Sequence, residues 1–375
     1  MRKIQMVDTK NQYLAIKEQV DASIQEVLDT ASYINGKAVK DFAQHLATYL
    51  KAEYVIPCAN GTDALQIAMM ALGLKPGDEV ITPSFTYIAT TEVVALLGLT
   101  PVFVDVDPIT FCMDIESLKN AITPKTKAIV PVHLYGHAAP MEEIMAIAKA
   151  HNLYVIEDNA QAIGCDYTFS NGTTKKTGTI GHIGATSFYP SKNLGAFGDG
   201  GALFTNDKVL ADKMTMIANH GQSERYYHDV VGCNSRLDSI QAAVLNIKLQ
   251  QLDKYNQARQ AVAKFYSDAF ANIAQIITPT VAKYSTHVYH QYTMQLNGVD
   301  RDKFIAHLSA KEIPCMIYYP VPGHLQKMFG EGKYADLNLP VTNSLTPVVC
   351  SLPIHTEMDS EQLNYVTEGV KSFFN

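Results

Sequence analysis

Three groups of residues in this 375-residue sequence have the types and spacing to do chemistry together. Gly61-Thr62-Asp63 follows the β-branched run YVIPC and offers a tight turn, a hydroxyl and the free N–H groups of a helix start. Such an end suits a phosphate, although the same residues taken alone read as a plain cap, with Thr62 or Asp63 opening the helix. Glu157-Asp158 closes the apolar run LYVIED. Asp158 in isolation also reads as a helix cap, but a carboxylate at the end of a buried strand needs a partner, and a protonated ring nitrogen would supply one. Lys192 sits between Ser187-Phe188-Tyr189-Pro190-Ser191 and a glycine-rich turn, where a snorkelling surface amine fits poorly. A phosphate anchor, an anion to keep a ring nitrogen protonated and an amine to form a Schiff base are the three requirements of pyridoxal 5'-phosphate.

The elements that must position these residues follow from periodicity. From residue 54 the sequence alternates short β-branched runs with amphipathic stretches, the pattern of βαβ units around a parallel sheet. Seven strands are expected, at 54–58, 79–83, 101–106, 127–132, 153–158, 184–188 and 201–205. Between most of them lie helical patterns such as TDALQIAMMALGL and MEEIMAIAKAHN. In such sheets ligands gather at the carboxyl ends of the strands, and all three groups fall there. The expected fold is α/β, with a mostly parallel seven-stranded sheet flanked by helices and a smaller C-terminal α+β domain. Residues 1–250 form the large domain with an N-terminal arm of two helices, and residues 251–375 the small one. The helical tract from Ser235 to Phe270 is too long for one compact helix and is expected to bend near Leu252. Residues 168–182 read as a surface hairpin, with Lys175 and Lys176 on a solvated face.

Composition narrows the function classes. Thirty basic against thirty-seven acidic residues give a net charge of −7, and no Lys/Arg cluster with interleaved aromatics is present, so nucleic acid is not an expected partner. No apolar run reaches the ~20 residues that cross a bilayer and the N-terminus lacks an apolar leader, which points to a cytoplasmic chain with no membrane partner. Six scattered cysteines with no C-x-x-C pair read as buried free thiols, and no metal site is expected.

Gly61-Thr62-Asp63-Ala64-Leu65, Pro83-Ser84-Phe85-Thr86-Tyr87, Val104-Asp105-Val106-Asp107, Glu157-Asp158-Asn159-Ala160-Gln161, Ser187-Phe188-Tyr189-Pro190-Ser191-Lys192, Gly198-Asp199-Gly200-Gly201 and Asn234-Ser235-Arg236-Leu237-Asp238, in this order, resemble the pyridoxal-phosphate-dependent nucleotide-sugar aminotransferases of the DegT/StrS group, enzymes of fold-type I. The resemblance runs from about residue 30 to the end, and is greatest to members that aminate C3 of an activated sugar, including those acting on UDP-2-acetamido-3-oxo-glucuronate.

That resemblance implies roles. Lys192 would form the Schiff base and Asp158 would face the pyridinium nitrogen. Gln161 would hydrogen-bond the ring hydroxyl, while Gly61, Thr62 and Ser187 hold the phosphate and Asn234 reaches it from the neighbouring subunit of a homodimer with shared sites. Tyr87 takes the ring-stacking position, with a core tyrosine as the competing reading. Arg236 would fork onto a carboxylate or phosphate of the substrate, or pair with Asp238. The loop Tyr318 to Gln326 would lie beside the sugar nucleotide through Tyr318, Tyr319 and His324. Many relatives have His-Tyr-Pro where this chain has Tyr318-Tyr319-Pro320, which leaves Tyr318 either a hydrogen-bonding substitute or a space filler. His220 reads as structural. The implied reaction moves an amino group from an amino acid, L-glutamate by family habit, to a keto nucleotide-sugar at C3, such as UDP-2-acetamido-3-oxo-glucuronate or a dTDP-3-oxo-6-deoxyhexose. The implied setting is cell-surface polysaccharide or O-antigen synthesis. Family members with histidine in place of the lysine act as dehydratases, so Lys192 favours amino transfer. The alternatives are C4 amination, another pyridoxal-phosphate reaction such as elimination or desulfuration, and a non-catalytic regulator that binds the cofactor or a sugar nucleotide.

Overall fold

The computed structural model describes residues 2–330 and 332–374. The chain opens with three helices, α1 (Thr9–Ala15), α2 (Lys17–Thr30) and α3 (Lys37–Leu50), where the sequence suggested two. The additional break is at Ile16, whose backbone (φ −126°, ψ 16°) leaves helical geometry between α1 and α2. The βα alternation follows as β1 (Tyr54–Cys58), α4 (Gly61–Ala71), β2 (Glu79–Pro83), α5 (Ala89–Leu96), β3 (Thr100–Val104), α6 (Ile115–Ala121), β4 (Thr126–Ile129), α7 (Met141–His151) and β5 (Tyr154–Asp158). A short hairpin, β6 (Asp166–Thr168) with β7 (Thr174–Lys176), precedes β8 (Ile183–Ser187) and β9 (Gly201–Thr205).

All seven expected strands are present and form one sheet in the order β1-β9-β8-β5-β4-β2-β3. Every pairing from β8 to β3 is parallel, and β9 runs antiparallel to both its neighbours. Side chains alternate between two cores, as a period of two demands. Val80 and Ile156 enter one core with α4, whereas Ile81 and Val155 enter the other with α7. Burial on both faces explains why the strands read as unbroken apolar runs.

Beyond the sheet come α8 (Lys208–Ala218), the hairpin β10 (Gln222–Glu224) and β11 (Tyr227–His228), α9 (Ser239–Leu249) and α10 (Leu252–Phe270), so the long tract breaks where expected. The remainder is β12 (Ile276–Ile277), β13 (Tyr292–Leu296), α11 (Arg301–Ser309), α12 (Pro340–Leu345), β14 (Val349–Leu352) and α13 (Ser360–Lys371). β12, β13 and β14 form an antiparallel sheet over a core of Tyr266, Phe270, Met294, Phe304 and Val366, joined by Ile4.

The expected surface hairpin at 168–182 stops at Lys176; Thr177, Gly178 and Ile180 are buried. Lys175 is solvated, but Lys176 pairs with Asp166 at 2.9 Å and donates to Gly164 O at 3.1 Å. All six cysteines are free thiols, with Cys233 and Cys315 only partly buried. No helix among the described residues is long and apolar enough to cross a membrane.

Candidate active site

The tip of β5 separates its two acids. Neighbouring residues of a strand point to opposite faces, so Glu157 and Asp158 meet different surroundings. Glu157 is fully buried and fully satisfied: it accepts from the backbone N–H groups of Gly178 (2.8 Å), Ile180 (2.6 Å) and Gly181 (2.5 Å) and from His133 Nε2 (2.8 Å). His133 Nδ1 accepts from Ala139 N–H at 3.0 Å, which places the imidazole proton on Nε2, toward the carboxylate. Asp158 has fewer donors. Thr90 Oγ1 donates to Oδ2 at 2.8 Å and Ala160 N–H to Oδ1 at 3.1 Å, so each oxygen keeps a free lone pair.

Lys192 lies beyond the end of β8, in a turn closed by its own N–H on Tyr189 O (2.8 Å). Among the described residues its amine has no hydrogen-bond or ion-pair partner, and the charge that acts on it is that of Asp158. The residue as a whole keeps an intermediate exposure, while its amine is buried. Burial pulls its proton affinity down to about 8, and the Asp158 carboxylate offsets part of that fall. The segment Val288–Gln291 packs on this turn: Asn193 Nδ2 donates to Val288 O at 2.8 Å. His290, buried there with Nδ1 lacking a partner, is held well toward its neutral form by burial and by the positive Lys192 and Arg259.

The expected phosphate cradle is the start of α4. Its cap is Asn60, not Thr62 or Asp63: Asn60 Oδ1 accepts from Asp63 N–H at 2.8 Å and Asn60 O from Ala64 N–H at 3.1 Å. The N–H groups of Gly61 and Thr62 are therefore free to meet an anion. Ser187 ends β8 directly against this turn, and a Cβ on Gly61 would stand 2.7 Å from Ser187 Cβ, so only glycine fits.

Gln161 is oriented by two bonds. Its Oε1 accepts from Tyr135 N–H (2.8 Å) and its Nε2 donates to Tyr319 OH (2.8 Å), leaving one amide hydrogen for a ligand. Tyr135 and Tyr319 lie with rings parallel within 5° and both have positive φ (57° and 65°), with Phe85 edge-on to each. Backbone strain of this kind in bulky residues gathers at functional sites. Tyr87 is 58% exposed, which overturns the core reading of that residue.

The substrate-side residues divide. His324 is buried, its N–H donating to Ser84 Oγ (3.1 Å) and its Nδ1 sharing a hydrogen with the same oxygen (2.7 Å), so the loop is docked on the turn after β2. Tyr318 is half-buried, and burial raises its hydroxyl's proton affinity while Gln291 and Arg259 lower it. Asn234 is exposed and Arg236 partly so; Arg236 donates to Asn219 Oδ1 (2.9 Å) and to Asn234 Oδ1, and not to Asp238. Within one chain this pair faces outward. His220 (φ 61°) bonds through its backbone to Cys233 O at 2.8 Å, in keeping with a structural part. Sequence reasoning missed Thr90, Tyr135 and the structural use of Glu157. The run Thr86, Thr90 and Thr91 near Tyr87 was the available signal for the first.

A model of the DegT/DnrJ/EryC1/StrS aminotransferase family matches residues 14–371. The chain belongs to that family. This aminotransferase is 45% identical over 363 residues to the UDP-2-acetamido-2-deoxy-3-oxo-D-glucuronate aminotransferase of Pseudomonas aeruginosa, covering 97% of this chain and 98% of that protein. It is 43% identical to a pleiotropic regulatory protein of Geobacillus stearothermophilus over 99% of this chain and 98% of the relative. The crystal structure of S. venezuelae DesV in complex with a ketimine intermediate superposes with a TM-score of 0.93 at 38% identity, over 100% of this chain and 99% of that one.

The cofactor of this aminotransferase is pyridoxal 5'-phosphate. The described residues fit it: a glycine cradle that a Cβ would fill and, among those residues, two free N–H groups, an amine without a bonding partner and a carboxylate with open lone pairs.

Proposed function

We propose that this aminotransferase moves an amino group from an amino acid, L-glutamate, to C3 of a keto sugar linked to a nucleotide, with UDP-2-acetamido-3-oxo-glucuronate or a dTDP-3-oxo-6-deoxyhexose as the substrate type. One observation carries the reading: Lys192's amine, of lowered proton affinity and without a bonding partner, stands on the same sheet edge as Asp158 and the open start of α4. The 45% identity to an enzyme named for a UDP-3-oxo-glucuronate supports the sugar class.

When bound, the cofactor supplies an electron sink that makes a proton on the carbon bearing the amino group removable. In this reading Lys192 would hold the cofactor through its amine and, when that amine is free, would carry a proton to or from the carbon bearing the amino group. Asp158 would keep the cofactor's ring nitrogen protonated. Gln161 would offer its remaining amide hydrogen to the ring hydroxyl, Gly61, Thr62 and Ser187 would bind the phosphate, and Tyr87 would cover the ring face. Tyr318, Tyr319 and His324 border the sugar nucleotide. Asn234 and Arg236 face outward and serve the site of a second copy in a homodimer. We further read residues 1–250 and 251–375 as the large and small domains, and the setting as cytoplasmic synthesis of surface polysaccharide such as O-antigen.

The likeness to proteins named for regulation or sensory transduction supports the non-catalytic alternative. The purified protein should be yellow and bleach on addition of L-glutamate, and the bleached form should aminate a 3-keto UDP-sugar from a panel that includes 4-keto sugars. Colour that persists with every amino acid would support the regulator, and turnover of 4-keto sugars alone would replace C3 by C4.

A further inference from the structure

We propose that Thr90 is a positioning residue whose hydroxyl fixes the plane of the Asp158 carboxylate against the cofactor ring. The inference rests on the reading of Asp158 as partner of the ring nitrogen. The terminal torsion of an aspartate is soft, so a carboxylate at a strand tip swings unless its oxygens are held. Here one donor holds each oxygen: Ala160 N–H at 3.1 Å on Oδ1 and Thr90 Oγ1 at 2.8 Å on Oδ2. The backbone donor belongs to the same turn as Asp158, and the hydroxyl comes from a different element, the first turn of α5. Thr90 is therefore the contact that references the carboxylate to the rest of the cleft.

The hydroxyl has a single hydrogen and three oxygens in range, Asp158 Oδ2 at 2.8 Å, Tyr87 O at 3.2 Å and Thr86 Oγ1 at 3.4 Å. The charged and nearest oxygen takes it. Thr86 Oγ1 lies within reach of the Thr90 oxygen's lone pairs. Because Thr90 N–H also approaches Tyr87 O at 3.3 Å, one residue ties the aspartate under the ring nitrogen to the loop carrying the tyrosine assigned to the ring face. Thr90 has no solvent exposure, so water does not replace the hydroxyl when it is removed.

Two substitutions separate this role from simple packing. Thr90→Val keeps the shape and loses the hydroxyl; Thr90→Ser keeps the hydroxyl and loses a methyl group. The expected result is that Thr90→Val weakens pyridoxal phosphate binding to the apoenzyme roughly 10-fold and lowers kcat by a similar factor with KM for L-glutamate unchanged, while Thr90→Ser stays close to the parent protein in both. Thermal unfolding of the apo forms checks the fold, and Thr90→Ala gives the same readouts should the valine variant not fold. The opposite ranking, with Val like the parent and Ser impaired, would overturn the proposal in favour of packing. Asp158→Asn is the reference: if it lowers cofactor affinity and kcat while Thr90→Val and Thr90→Ala do not, the Thr90 role fails alone. If Asp158→Asn changes neither, the reading of Asp158 itself fails.

Discussion

The two sides of the β5 tip contain the same chemical group put to different use. On one side Glu157 accepts four hydrogen bonds and is closed off from solvent and ligand alike. On the other, Asp158 accepts two and shares its edge with a lysine lacking a bonding partner and with a helix start whose first N–H groups are free. Saturated polar groups hold a fold, and polar groups short of partners wait for a ligand. A second pair makes the same point. Lys192 and Lys248 both have proton affinities lowered to about 8, chiefly by burial. Lys248, however, lies within α9 with its amine 5.5 Å from the Phe197 ring and Arg259 as its charged neighbour, in place of a carboxylate such as Asp158. Low basicity alone does not mark an active lysine.

The largest expected effect breaks the second pair. Lys192→Ala should lower kcat by roughly 10⁴ and abolish the visible colour of the protein, whereas Lys248→Met should change kcat less than about 3-fold. Stopped-flow rates and absorbance spectra of the two variants decide it. The next contrast concerns the acids. Asp158→Asn is expected to reduce kcat by about 10²–10³ with little change in unfolding temperature. Glu157→Gln should do the reverse, costing about 3 kcal/mol of stability by leaving buried N–H groups without an acceptor, with kcat per folded molecule kept within a few-fold. Denaturant titration alongside kinetics separates them.

Gly61→Ala sharpens the edge further. The added Cβ at 2.7 Å from Ser187 Cβ must push the cradle open, so the dissociation constant for pyridoxal phosphate should rise about 10-fold or more, as read by equilibrium dialysis. A smaller effect follows from pH. The neutral amine is the form that attacks the cofactor's aldehyde, so covalent uptake by the apoenzyme should rise with pH through about 8, well below the ordinary lysine value of 10.5. A midpoint near that ordinary value would mean that Lys192 is not desolvated. The smallest expected change is in Tyr319→Phe, which frees one Gln161 hydrogen and should raise the cofactor's dissociation constant about 3-fold.

Much of this was legible in the sequence because it is local or periodic. The strands follow from β-branched runs, and Lys192, Asp158 and Gly61 stand at strand ends where a parallel sheet must present them. Features that depend on distant neighbours were not legible. Asn60 as the cap of α4 stands before both expected caps, Thr62 and Asp63, a choice that backbone geometry makes and residue type does not. Thr90 reads as an ordinary threonine early in a helix until the fold brings it to Asp158, and Glu157 reads like Asp158 until the 177–181 loop closes over it. Gln161's orientation depends on Tyr319, far away in sequence. The break at Ile16 left no glycine or proline to announce it. Tyr87's exposure, too, is settled by the turn after β2 rather than by its residue type.

The most direct test is to reduce the yellow protein with borohydride, digest it and find which lysine carries the pyridoxyl phosphate mass. The expected result is one modified peptide, that containing Lys192. Label on Lys248 or any other lysine, or none at all, would contradict the assignment.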